Sequence, residues 1–183
     1  TGVYPEIKRP AWHREEGIDI SAAMLDVLAD NGYAGPADAI FVQCFDAVEL
    51  ARVRQDLGCR MRLVQLIGEN SWGESDTDYE YLGTENGLAE LARTVDAIGP
   101  WVNQLYIRGV AGQVPRSSGL AERAHEAGLQ VHPYTFRADD VASGFGSFDQ
   151  MVRYFCVELR IDGLFTDFPD QVRLLLDDCA DRQ

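Results

Sequence analysis

The stretch Val3-Tyr4-Pro5-Glu6-Ile7-Lys8 opens the chain on an alternating segment, VYPEIK, with an acid and a base two residues apart. In a strand, residues two apart share a face, so Glu6 and Lys8 point one way and Pro5 and Ile7 the other. A carboxylate beside an ammonium also describes an ordinary paired surface. Pro5 removes a backbone donor and speaks against a routine central strand. The segments that follow decide between these readings.

Short apolar runs recur at VYPEIK, AIFVQCFD, RLVQLIG, VNQLYIR, LQVHPYTFR and DGLFTDFP. Between them lie helix-period segments: DISAAMLDVLADNG, AVELARVRQDLG, NGLAELARTVDAIG, SGLAERAHEAG, FDQMVRYFCVELR and DQVRLLLDD. In the first of these, Ile20, Met24, Val27 and Leu28 trace one apolar face, with Asp19 or Ser21 as the cap. Gly32, Gly58, Gly99 and Gly128 each stand where a helix should stop. The pattern predicts parallel strands near 3–8, 40–45, 63–67, 102–108, 130–136 and 163–167, each followed by a helix.

Strands alternating with helices give an α/β fold with a parallel sheet, either an open doubly wound sheet or a (β/α)8 TIM barrel. No G-x-G-x-x-G follows a strand and no phosphate loop exists. Polar or aromatic residues do recur at the strand carboxyl ends: Glu6 and Lys8, Gln43 and Phe45, Gln65, Arg108, Tyr134 and Arg137, and Asp167. A barrel builds its site on that face. Six strand–helix units in 183 residues match the spacing of an eight-unit barrel of about 250 residues. The expectation is therefore that residues 1–183 are the carboxyl-terminal portion of one barrel domain, supplying about six of its eight βα units.

Composition narrows the partners. At 46% hydrophobic residues the chain has ample material for a core, and a net charge of −14 weighs against nucleic acid. No apolar run approaches the ~18 residues of a membrane span, and no signal peptide is visible. Lys8 is the only lysine; chance explains that as well as a need for a compact ammonium does. Cys44, Cys59, Cys156 and Cys179 show no metal-ligand spacing. Cys44 lies in AIFVQCF and reads as a small buried hydrophobe.

The strings YPEIKRPAWHREEG, VHPYTFR and DGLFTDFP, with FVQCFD and LVQLI between them, resemble in that order the later strands of bacterial glycerophosphodiester phosphodiesterases of the periplasmic type. The resemblance covers nearly the whole chain. It implies a (β/α)8 barrel, a divalent cation (Ca2+ or Mg2+), and hydrolysis of a small glycerophosphodiester to glycerol 3-phosphate and an alcohol. It also implies a periplasmic or secreted location. Carried over by position, Glu6 matches the family's metal-binding glutamate and Lys8 the lysine that meets phosphate charge. Phe45 and Tyr134 match aromatic positions at the glycerol end of the pocket. Gln43, Gln65 and Asp167 lie at strand ends, where interior packing or hydrogen bonding explains them equally well.

The chain departs from the family pattern in what it lacks. The family's His-Arg-Gly strand, its Pro-Glu-Asn-Thr segment, its strand with two acidic ligands and its second catalytic histidine are absent. Trp12-His13-Arg14-Glu15 is the closest string, and it falls in the loop after the first strand, so His13 reads as a rim residue. His125 reads as a surface helix residue and His132 as a structural histidine in a strand. No catalytic residue is thus expected in this chain. The missing amino-terminal units, in cis or in trans, would supply proton transfer. Two alternatives stand beside this reading: a non-catalytic module that binds a phosphodiester or sugar phosphate, and another metal-dependent barrel hydrolase.

Overall fold

Arg9 adopts a left-handed conformation, φ 50° and ψ 52°, immediately after the first strand. Few residues other than glycine accept that geometry. Here it turns the chain so that Pro10 becomes the first residue of a helix, where a missing amide hydrogen costs nothing. The strand β1 (Glu6–Ile7) thus passes directly into α1 (Pro10–Glu15), a stretch that the sequence reads as a loop. A computed structural model of the chain describes residues 2–109 and 115–180. The described residues form two compact units, Thr1–Ile98 and Gly99–Gln183.

In the first unit α2 (Ile20–Asp30) follows, capped by Asp19, whose carboxylate accepts the Ala22 amide at 3.0 Å. Ser21 is not the cap. It lies inside the helix, fully buried. The strand β2 (Phe41–Cys44) leads into α3 (Ala47–Gln55), capped by Asp46 through the Glu49 amide at 3.0 Å. Next come β3 (Arg62–Ile67), the short helix α4 (Tyr79–Leu82), α5 (Glu85–Leu91) and β4 (Ala97–Pro100). The strands stand in the order β1-β2-β3-β4. The first two pairings are parallel, in registers Glu6↔Gln43 and Ile7↔Cys44, then Gln43↔Val64 and Cys44↔Gln65. Val42, Leu50, Val53, Leu63, Leu88 and Ile98 are fully enclosed between this sheet and its helices. At α5, Gly87 leaves room for the preceding turn: a Cβ there would lie 2.2 Å from the Tyr81 carbonyl oxygen.

The second unit begins within β4. A two-stranded antiparallel ribbon joins β5 (Tyr106–Ile107) to β6 (Arg116–Ser117), and α6 (Leu120–Glu126) leads to β7 (Gln130–Val131). Past β7, Tyr134 bridges to Trp101 and Phe136 to Thr166, both in parallel. The helix α7 (Phe148–Arg153) runs on into a π turn over Tyr154–Glu158, and α8 (Pro169–Ala180) closes the unit. Phe136 and Phe155, both fully buried, meet edge to face at 5.0 Å and centre an aromatic core with Phe145 and Tyr106.

Two expectations are corrected. The fourth strand is Ala97–Pro100, not 102–108. Leu88, Leu91, Val95 and Ile98 keep helical spacing straight through the boundary, so periodicity carries the helix too far and Gly99 is mistaken for its stop. The register is set instead by Asp96. Its amide donates to the Leu63 carbonyl at 2.9 Å and its carboxylate accepts the Leu63 amide at 2.8 Å. Residues 102–104 then form a 3-10 turn, and 106–107 pair antiparallel, off the main ladder. No helix among the described residues is long and apolar enough to cross a membrane.

Candidate active site

Glu6 and Gln43 are paired residues on adjacent parallel strands, so their side chains rise from the same face of the sheet. Lys8, two residues on, joins that face, with Nζ 3.6 Å from Glu6 Oε1. The ammonium is largely exposed and the carboxylate about a quarter exposed. Glu6 Oε1 itself is buried and has no hydrogen-bond partner, and the same is true of Gln43 Oε1. Buried oxygens without donors are uncommon and call for an explanation. They are hard donors of the kind calcium and magnesium take, so Glu6 and Gln43 fit part of a divalent-cation shell. Among the described residues no group of three or more His, Cys, Asp or Glu side chains is placed to hold a metal.

Phe45 follows β2. Its carbonyl is fixed from three sides, accepting from Gln65 Nε2 at 2.8 Å, Ser75 Oγ at 3.2 Å and the Tyr79 hydroxyl at 3.3 Å. Its ring stands edge to face with Tyr79. Gly68, just past β3, makes room for a second aromatic: a Cβ there would come within 2.7 Å of the Trp72 ring and 3.4 Å of Phe45. Trp72 is 40% exposed. Sequence reading missed it, although a lone aromatic in the polar loop GENSWGESD was a visible signal.

A cavity of about 420 Å3 is lined by Arg9, Trp12, Glu15, Asp46, Glu74 and Asp76 among others, and Glu6, Lys8, Gln43 and Phe45 do not line it. The helix α1 forms one wall and is held from below by a buried carboxylate. Glu49 on α3 has no exposed side-chain surface. It accepts from Arg14 Nη1 of α1, Ser21 Oγ of α2 at 2.5 Å and Arg52 Nη1 at 2.8 Å. Arg52 in turn donates to Asp19, and that hydrogen bond, with the Ala22 amide, holds the Asp19 carboxyl below its ordinary value. Nothing in the sequence singles out Glu49. Its place in the interior is a consequence of packing.

Other expected positions fall elsewhere. Gln65 is in register with Cys44 and Ile7, on the face opposite Glu6 and Gln43. It is fully buried, and its amide nitrogen donates to the Phe45 and Leu66 carbonyls, each at 2.8 Å. The expected pocket position is therefore a structural one, because a one-residue step along a strand reverses the face. His13 lies in α1 with its ring against Trp12. Cys44 is fully buried; burial pushes its thiol up to about 12, and its Sγ lies 3.1 Å from the Ile7 carbonyl.

Tyr134 and Asp167 belong to the second unit. The Tyr134 amide donates to the Pro100 carbonyl at 3.1 Å and its carbonyl accepts from the Val102 amide at 2.8 Å, and the residue is half-buried. Asp167 is exposed and accepts from Arg137, which also pairs with Asp139 at 2.8 Å. That is a surface cluster, not an interior pocket group. His132 is buried, with its ring against Gly163, and His125 Nε2 meets Asp162 at 3.0 Å.

The glycerophosphoryl diester phosphodiesterase family model matches residues 1–171. A glycerophosphodiester phosphodiesterase of Haemophilus influenzae is 31% identical over 184 residues, covering 92% of this chain and 50% of the relative. One of Treponema pallidum is 28% identical over 186 residues, covering 92% and 52%. The chain thus spans about half the length of the curated relatives it matches. Among solved structures, one described as a glycerophosphoryl diester phosphodiesterase from Silicibacter pomeroyi aligns with a TM-score of 0.61 at 18% identity, covering 88% of this chain and 45% of that one. Another from Agrobacterium tumefaciens gives 0.63 at 14% identity, covering 98% and 59%. These likenesses, with the parallel strands and alternating helices, establish the α/β fold of the TIM-barrel class. The chain belongs to the glycerophosphoryl diester phosphodiesterase family.

Proposed function

We propose that the parent protein is a metal-dependent glycerophosphodiester phosphodiesterase that releases glycerol 3-phosphate and an alcohol, and that residues 1–183 are the carboxyl-terminal part of its barrel. The observation that carries this reading is the Glu6–Lys8 pair at the carboxyl end of β1, in a chain matched by the family along 1–171.

A bound Ca2+ or Mg2+ supplies charge stabilisation on the phosphate oxygens. Glu6 would hold it through a carboxylate whose inner oxygen has no competing hydrogen bond. Lys8 is exposed enough to swing from Glu6 to a phosphate oxygen, a point charge meeting a point charge. Phe45 and Trp72 give an apolar wall for the glycerol carbons. Water attack on phosphorus breaks the bond to the leaving alcohol, and a proton must reach that alcohol oxygen. Glu6 and Lys8 do not perform this transfer. The family's histidines do so from barrel units amino-terminal to this chain, in cis or in trans. By the same resemblance the protein acts in the periplasm or outside the cell.

The test is hydrolysis of glycerophosphocholine by the full-length protein, with glycerol 3-phosphate read by a coupled assay. Activity should require Ca2+ or Mg2+, vanish in EDTA, and fall sharply in Glu6→Gln, which keeps the shape and loses the charge. A full-length protein that releases no glycerol 3-phosphate with either ion sinks the reading.

A further inference from the structure

We propose that Gln43 supplies an additional oxygen ligand, its side-chain carbonyl, to the divalent cation that Glu6 holds. The inference rests on the metal-dependent reading above and assigns a residue to it. Three observations carry it. Gln43 and Glu6 are direct partners across the β1–β2 pairing, on the same face. Gln43 is only 9% exposed. Glu6 Oε1 and Gln43 Oε1 are both buried without a hydrogen-bond donor.

Two acceptors on neighbouring strands, about 4.8 Å apart in backbone spacing, gain nothing from each other. A group that satisfies both must be a donor or a cation. Lys8 does not fill the role, since its ammonium is 3.6 Å from Glu6 Oε1 and points mostly to solvent. A glutamine placed for packing alone would be expected to spend its polar atoms on the backbone, as the amide nitrogen of Gln65 does with two carbonyls. Gln65 also has an unbonded Oε1, but its register puts it on the other face, away from the carboxylate. Calcium takes side-chain amide carbonyls beside carboxylates in a flexible shell, whereas magnesium keeps more of its water. The Glu6–Gln43 pair therefore favours calcium.

Calorimetric titration of the full-length protein with Ca2+ alone tests this without reference to turnover. Gln43→Met removes the oxygen at similar volume and should weaken Ca2+ binding by about tenfold or more, at least the loss seen when a metal site forfeits an outer partner. Its melting temperature in EDTA should stay level or rise, because an unsatisfied buried acceptor has gone. Gln43→Glu keeps an oxygen, adds charge and should bind Ca2+ more tightly. Wild-type affinity in Gln43→Met overturns the proposal, as does a lower melting temperature in EDTA with affinity intact, which marks a structural role. If Gln43→Met does not fold, equal or weaker Ca2+ binding by Gln43→Glu overturns it instead. Unchanged affinity in Glu6→Gln removes the Glu6 site itself and this inference with it, whereas failure confined to the Gln43 variants leaves the Glu6 site standing.

Discussion

Arg14 on α1 reaches across to the fully enclosed carboxylate of Glu49 on α3, thirty-five positions along the chain. With Ser21 and Arg52 on the same carboxylate, one side chain clasps three helices. Because α1 follows Lys8 directly through Arg9, this clasp also fixes how the chain leaves the candidate site.

Glu49→Ala should therefore cost about 3 kcal/mol, the lower end of what breaking a buried ion pair costs. The lower end applies because Arg14 and Arg52 are partly exposed and keep some access to water. Glu49→Gln should cost less, since the amide still accepts a hydrogen bond. Urea unfolding of both variants checks the order, and equal losses would show that the charge alone, with no help from shape or a neutral hydrogen bond, holds the clasp.

The Cys44 thiol should resist modification. With its pKa pushed up to about 12 by burial, the reactive thiolate is scarce at pH 8 and the sulfur has no access to solvent. Iodoacetamide followed by peptide mapping should leave Cys44 unlabelled in the native protein and label it in urea. Native labelling at a rate matching the urea sample would contradict its burial.

Acid should destabilise the first unit through Asp19. Its folded pKa is lowered, first by the Arg52 hydrogen bond and then by the Ala22 amide. A depressed carboxylate contributes stability above its unfolded value near 3.8, and that contribution disappears as pH falls through the folded value. Melting temperature should thus drop below about pH 4, and Asp19→Asn should flatten that limb while melting lower at neutral pH. A variant with an unaltered acid limb would show that Asp19 is not the group responsible.

Gly68→Ala probes the aromatic wall. The new Cβ would stand 2.7 Å from the Trp72 ring and 3.4 Å from Phe45. Relieving that overlap displaces an aromatic at a cost of about 1–3 kcal/mol. In the full-length protein this should appear mainly as a raised KM for a glycerophosphodiester, with kcat less affected. Unchanged KM would exclude Trp72 and Phe45 from substrate contact.

The sequence by itself determined the alternation of strands and helices through β1, β2 and β3, the parallel pairing of those strands, and the acid–base pair on β1. Each of these is local: alternation, helical spacing, and residues two apart sharing a face. Tertiary structure decided what local signals could not reach. Helical spacing ran unbroken from Leu88 to Ile98, and only the two hydrogen bonds between Asp96 and Leu63 fixed where the fourth strand begins. Gln43 and Gln65 look equivalent in a list of strand ends, yet register put them on opposite faces. Glu49 reads as one more charged helix residue until three helices close over it. The physical reason is the same in each case. A residue's face and its burial depend on partners tens of positions away, and those partners are chosen by packing rather than by the residues beside it.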